Sequence, residues 1–127
     1  MTSQGFPEAT AALGRALDRL GRPWMMIGGI AAIVHGVPRT TLDADATISG
    51  PGLAAVDVLD ALLREGIVPR IPDAAQFAGR SHVVLVQHQA SGVPIDISLA
   101  WLPFEDEALA RAVRRDFAGA MLPFVAG

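Results

Sequence analysis

Cysteine is absent from the chain, and so is lysine, since all ten basic residues are arginine. Without cysteine there is no disulfide framework, no thiolate chemistry and no zinc–cysteine site. The exclusive use of arginine, in a chain rich in Ala, Gly and Val, reads as coding bias rather than functional choice. Long hydrophobic runs are missing as well: none reaches the roughly 18 residues that a membrane span needs. The first residues, MTSQGFPEAT, lack the basic start and apolar middle of a signal peptide, so a cytoplasmic protein is expected by elimination. Excess positive charge is also lacking. A net charge of −3 and a pI near 5.5 argue against a broad nucleic-acid surface, though not against a local one.

What remains is a chain of 127 residues, 51% hydrophobic and 18% charged, without internal repeat, low-complexity tract or linker. That length suits one domain, 1–127, able to bury roughly two-thirds of its unfolded surface. Residues 7–20 predict a helix, with Pro7 at its first position, Glu8 in its first turn, Leu13, Leu17 and Leu20 on one face, and Arg15 and Arg19 outside it. Pro23 breaks into a short buried strand, Trp24 to Ile27. Gly50-Pro51-Gly52 is a turn signal, and Leu53 to Glu65 an amphipathic helix with Val56, Leu59, Leu62 and Leu63 on one side, ended by Gly66. Ile67 to Ile71 is an edge-like segment limited by Pro69 and Pro72, and Asp73 is placed to cap a short helix, AAQFAGR. Ser81 to Gln89 and Val93 to Ala100 read as a hairpin across Ala90-Ser91-Gly92. Pro103 opens a last helix, acidic at its start and carrying Arg111, Arg114 and Arg115 towards its end, and Met121 to Val125 is an apolar final strand. If exposed, that tail would form a dimer or partner interface.

The stretch with chemical content runs from Trp24 to Ser49, WMMIGGIAAIVHGVPRTTLDADATIS. It predicts a strand, a glycine pair (Gly28, Gly29), an apolar helix, and a second strand bearing Asp43 and Asp45. Carboxylates at i and i+2 of a strand share one face, while Leu42, Ala44, Ala46 and Ile48 point to the other. Like charges side by side repel, and a cation between them is the natural remedy. Glycines opening a helix let backbone N–H groups come close to a phosphate. By the same alternation Asp96 faces away from Ile95 and Ile97, beside Ser98, and a carboxylate in so apolar a strand must be paired, solvated in a cleft, or a metal ligand. An Asp-x-Asp alone is more often the solvated face of an edge strand. The glycine pair before it and Asp96 after it favour a site for a metal-bound polyphosphate. A salt bridge from Asp96 to an arginine is the competing assignment.

Other polar residues carry less. His35 reads as a helix-terminal residue, and His82 and His88 lie roughly 20 Å apart along one strand, too far to share a metal. Arg111, Arg114 and Arg115, at i, i+3 and i+4 of a helix, read first as a solvated face and only second as an RNA or partner contact. Ser98 has no His and Asp partners at a recognisable spacing for a serine hydrolase.

Gly28-Gly29, His35-Gly36, Arg39-x-Thr41, Asp43-x-Asp45 and the later Asp96 resemble, in that order, the minimal nucleotidyltransferase superfamily with the fold of the DNA polymerase β catalytic core. The likeness covers roughly residues 22–101 and is nearest to small bacterial proteins of the abortive-infection (AbiEii-like) and toxin–antitoxin type. It implies an α/β (α+β) fold, a short mixed sheet flanked by helices. It also implies an enzyme that moves a nucleoside monophosphate from an NTP to a hydroxyl of a protein, an RNA or a small molecule. Asp43, Asp45 and Asp96 would hold two Mg²⁺ ions (or Mn²⁺), with Asp96 also available as a base. Gly28, Gly29, Arg39, Thr40 and Thr41 would contact the nucleotide. Two departures stand out. Toxin-type relatives use a lysine after the aspartate pair, which this chain lacks, and many continue into a helical C-terminal region. Either the sequence is a piece of a longer chain, or a homodimer or a cognate protein partner would complete the cleft. The alternative is a non-catalytic nucleotide- or partner-binding module that keeps the fold.

Overall fold

The computed structural model describes residues 5–28 and 43–126. Gly29, His35, Gly36, Arg39, Thr40, Thr41 and Leu42 lie outside the described residues, as does the helix expected after the glycine pair.

In chain order the elements are α1 (Gly5–Asp18), β1 (Trp24–Ile27), β2 (Ala44–Ser49), α2 (Ala55–Leu63), β3 (Ile67–Pro69), α3 (Ala74–Ser81), β4 (Val83–His88), β5 (Pro94–Ala100), α4 (Pro103–Ala110), β6 (Val113–Phe117) and β7 (Ala120–Phe124). The strands form one mixed sheet in the order β3-β4-β5-β2-β1-β7-β6. β2 runs parallel to β5 and antiparallel to β1, and β7 returns to pair in parallel with β1. This is the mixed α/β architecture the sequence implies.

Strand alternation divides the sheet into two faces with different fates. Ala44, Ala46 and Ile48 of β2, Ile95, Ile97 and Leu99 of β5, and Val84 and Val86 of β4 point to one side. There they join Ala9, Leu13 and Leu17 of α1, Val58 and Leu62 of α2 and Ala78 of α3 in the main core. On the other side Met25, Ala100 and Leu109 form a small second core under α4. That helix packs against β2 and the carboxyl-terminal end of β5, and Met25 and Ile27 of β1 join its small core. The amino-terminal ends of β2 and β5 carry Asp45 and Asp96 on this second face, where Ile27, packed against the small core, borders Asp45.

Most helices obey the expected periodicity. In α1, Leu13 and Leu17 are fully buried, while Arg15 and Arg19 point outward and pair with Glu65 at 2.8 and 2.5 Å. These hydrogen bonds hold the Glu65 carboxyl below its ordinary range. The start of α4 is secured by the Glu105 carboxylate, which accepts from the N–H groups of Leu102 (3.0 Å) and Trp101 (3.2 Å).

Four expectations need correction. In α2 the inward face is Val58, Ala61 and Leu62, while Val56 and Leu63 are exposed, so the stripe is rotated from the one expected. Asp73 does precede α3, but its backbone is left-handed (φ 56°) and its side chain makes no capping hydrogen bond. The last helix ends at Ala110, so Arg111, Arg114 and Arg115 do not share a helix face. Arg114 and Arg115 belong to the edge strand β6, which turns into β7 through Ala118 and Gly119, both at positive φ (51° and 91°). Two successive left-handed residues make the tight hairpin that matches strand twist. Finally, Leu122 and Phe124 of the apolar tail are core residues, so the tail does not offer those side chains to a partner.

Candidate active site

The parallel register of β2 and β5 sets Asp45 directly beside Asp96. Ile27 of β1 flanks Asp45 on one side and Leu85 of β4 flanks Asp96 on the other, so the four lie on one transverse row of the sheet. Neighbouring strands are about 4.8 Å apart, so the two carboxylates are held close by the backbone itself. Asp43, two residues before Asp45, stands on the same face and is exposed. To the alternation read from sequence the structure adds that Asp45 and Asp96 are cross-strand neighbours.

The electrostatic consequence falls on Asp45. Burial, followed by the charges of Asp96 and Asp43, pushes its carboxyl above the ordinary range, with Arg70 opposing. The chemistry of Asp43 and Asp45 fits a hard divalent cation: oxygen donors on one face whose repulsion the ion would offset. Asp96 is differently engaged. Its carboxylate accepts a hydrogen bond from Arg70 Nη2 in an ion pair. Among the described residues no three Asp, Glu or His side chains converge closely enough to hold one ion together.

Gly28 is built into the same place. It follows β1 at φ +74°, and a Cβ there would come within 2.6 Å of Asp45 Oδ2. The left-handed backbone favours glycine, and a side chain there would have to displace the Asp45 carboxylate. The other candidate nucleotide contacts, Gly29, Arg39, Thr40 and Thr41, lie outside the described residues. Gly28→Ala is expected to cost about 1–2 kcal/mol from the left-handed backbone alone. The new methyl would also turn the Asp45 carboxylate aside, because a side-chain end moves more readily than the strand. Paired thermal melts and metal titrations check this, and cation affinity is expected to fall in addition to stability.

The two histidines of the β4 region take no part. His88 Nδ1 lies 2.7 Å from Ser91 Oγ, and His82 stacks on Trp101 with ring centroids 5.0 Å apart. His82 caps the end of α3 just before β4, and His88 is the last residue of that strand. A cavity of about 290 Å³ lined by His82, Trp101, Leu99 and Pro51 opens at the carboxyl-terminal end of β5 and includes none of the carboxylates.

Arg70 is the residue that sequence reasoning missed. An arginine partner for Asp96 was a recognised alternative, but nothing in the sequence said which arginine. The available signal was the short segment Ile67 to Ile71, whose antiparallel pairing with β4 carries Arg70 to the row of Asp96.

No protein-family model matches this sequence, and no curated protein does. Comparison with solved structures does find a likeness. The crystal structure of a "putative nucleotidyltransferase" from Thermotoga maritima superposes with a TM-score of 0.59 over 99% of this chain and 80% of that one, at 14% identity. The chain has a nucleotidyltransferase-like fold. Within that fold, the face bearing Asp43, Asp45 and Asp96 is the candidate site.

Proposed function

We propose that this protein is a divalent-metal-dependent nucleotidyltransferase whose acceptor is a hydroxyl group. The observation that carries the reading is the in-register pair Asp45 and Asp96, with Gly28 packed against Asp45, on a nucleotidyltransferase-like fold. Asp43 and Asp45 would hold Mg²⁺, and the bound cation would supply charge neutralisation for an NTP triphosphate and its pyrophosphate leaving group. Gly28 keeps the approach to Asp45 open by carrying no side chain. Asp96 is the carboxylate suited to accept the proton of the attacking hydroxyl, and the Arg70 guanidinium fixes its orientation. The order of motifs likens the chain to abortive-infection and toxin–antitoxin proteins, which puts the acceptor hydroxyl on a protein, an RNA or a small molecule. In the two-ion scheme implied by that likeness, Asp43 and Asp45 would hold two Mg²⁺ ions and Asp96 would complete the site of one.

A second reading has an observation of its own. The engagement of Asp96 by Arg70 favours a non-catalytic module that binds nucleotide, or a partner, on the same face.

Calorimetric titration of each NTP with Mg²⁺ into the protein and into an Asp43→Asn/Asp45→Asn double variant tests the proposal. Metal-dependent binding by the wild type, lost in the variant, is the expected outcome. Absence of binding by a folded wild type for every NTP would count against the stand-alone enzyme.

A further inference from the structure

The inference that follows rests on the carboxylate face holding a divalent cation. Arg70 lies one residue beyond β3, and its N–H donates to the Leu85 carbonyl at 3.2 Å, continuing the β3–β4 pairing. Arg70, Leu85, Asp96 and Asp45 therefore fall on one row across the sheet. From the edge the side chain crosses Leu85. Nη1 donates to the carbonyl oxygens of Val86 (2.6 Å) and Ile95 (2.9 Å), and Nη2 donates to Asp96 Oδ1.

Three acceptors on two strands hold this one guanidinium, and its side chain is only 25% exposed. That is a seated group rather than a mobile surface pair. A guanidinium does not lose its proton at any pH at which proteins fold, so the charge is permanent. A second divalent ion between Asp45 and Asp96 would need the carboxylate that Arg70 already holds, and it would face a fixed positive charge. Asp43 and Asp45 lie one strand farther from Arg70, where a cation meets carboxylates and less repulsion.

We propose that Arg70 is a positioning residue that takes the place of a second metal ion: it neutralises and orients Asp96, so that this face binds one divalent cation, through Asp43 and Asp45. The site then carries three positive charges, two from the ion and one from the protein. Asp96 keeps a fixed orientation whether or not metal is present.

Titration of the full chain with Mn²⁺ alone, with free ion counted by electron paramagnetic resonance, tests this. The wild type is expected to bind one Mn²⁺ per chain and Arg70→Met two. Arg70→Lys, which restores the charge, is expected to return the count to one, a rescue that a merely structural role would not produce. Arg70→Gln keeps a polar amide donor on a shorter side chain and removes the charge, and it too is expected to bind two, which covers the case of a misfolded methionine variant. Two ions on the wild type, or one on both folded uncharged variants, would overturn the inference and leave the metal site standing. No ion on any of the proteins would overturn the inference together with the metal-dependent reading beneath it.

Discussion

Asp45→Asn is expected to raise the melting temperature of the metal-free protein by about 2–5 °C, an increment typical of relieving one unfavourable surface charge. The same change is expected to abolish the stabilisation that Mg²⁺ or Mn²⁺ gives the wild type. The two effects have one cause. Asp45 is partly buried between Asp96 and Asp43, and its carboxyl is held above the ordinary value near 3.8 that it has in the unfolded chain. Its charged form therefore opposes folding. Protons relieve that opposition: metal-free wild type gains stability from this group as pH falls through the folded-state pKa, and loses it again as pH rises. Glu65 works in the other sense, since its lowered pKa gives stability that is present above the unfolded value and lost as pH falls through the folded one. Comparing wild type with Asp45→Asn across pH isolates the Asp45 contribution, because Glu65 is common to both. A divalent cation also relieves the repulsion, and at 100 times its dissociation constant a ligand adds about 2.7 kcal/mol. Differential scanning calorimetry with and without metal reads both effects. A variant less stable than wild type in chelated buffer would show that Asp45 contributes more by packing than it loses by charge.

Phe124→Ala is expected to cost about 3–5 kcal/mol, a large share of the ~5–15 kcal/mol that holds a domain of this size together. Phe124 is fully buried and pairs with Met26, and the Val125 N–H donates to the Met26 carbonyl at 3.0 Å. The strand that carries it therefore closes the sheet onto β1, the element that leads into Gly28. The neighbouring Met121 is 57% exposed, and Met121→Ser is expected to change stability by no more than about 0.5 kcal/mol. Urea unfolding of the two variants beside wild type checks both values. Similar losses at the two positions would mean that β7 is not alternating as described.

The parts of this fold that could be read from sequence are those set by local periodicity. The face shared by Asp43, Asp45 and Asp96 follows from alternation along single strands, and the hairpin of β4 and β5 from a turn flanked by β-branched runs. Whether Asp45 and Asp96 meet depends instead on register between strands some fifty residues apart, and no local pattern encodes that. Arg70 was hidden for the same reason: its partner is decided by which strand β3 borders. The end of α4 was misread because charged residues from 105 to 116 suit a helix and an exposed edge strand equally well. The Ala118-Gly119 turn that decides between them lacks the Asn-Gly or Asp-Gly signature of such hairpins. The rotation of α2 is a case of tertiary packing overriding an amphipathic pattern with two apolar options.

The order of the sheet has a further consequence for how copies of this protein behave towards one another. Among the described residues its outer strands are β3 and β6, and an edge strand with open backbone groups can recruit a passing strand. β3 has three residues and ends in Pro69, which has no N–H to offer, while β6 displays Arg114, Arg115 and Asp116 in succession to solvent. Brevity, proline and charge are the means by which natural sheets discourage edge-to-edge growth into fibres. Any pairing through these two edges would have to overcome the short run and proline of β3 or the charged row of β6.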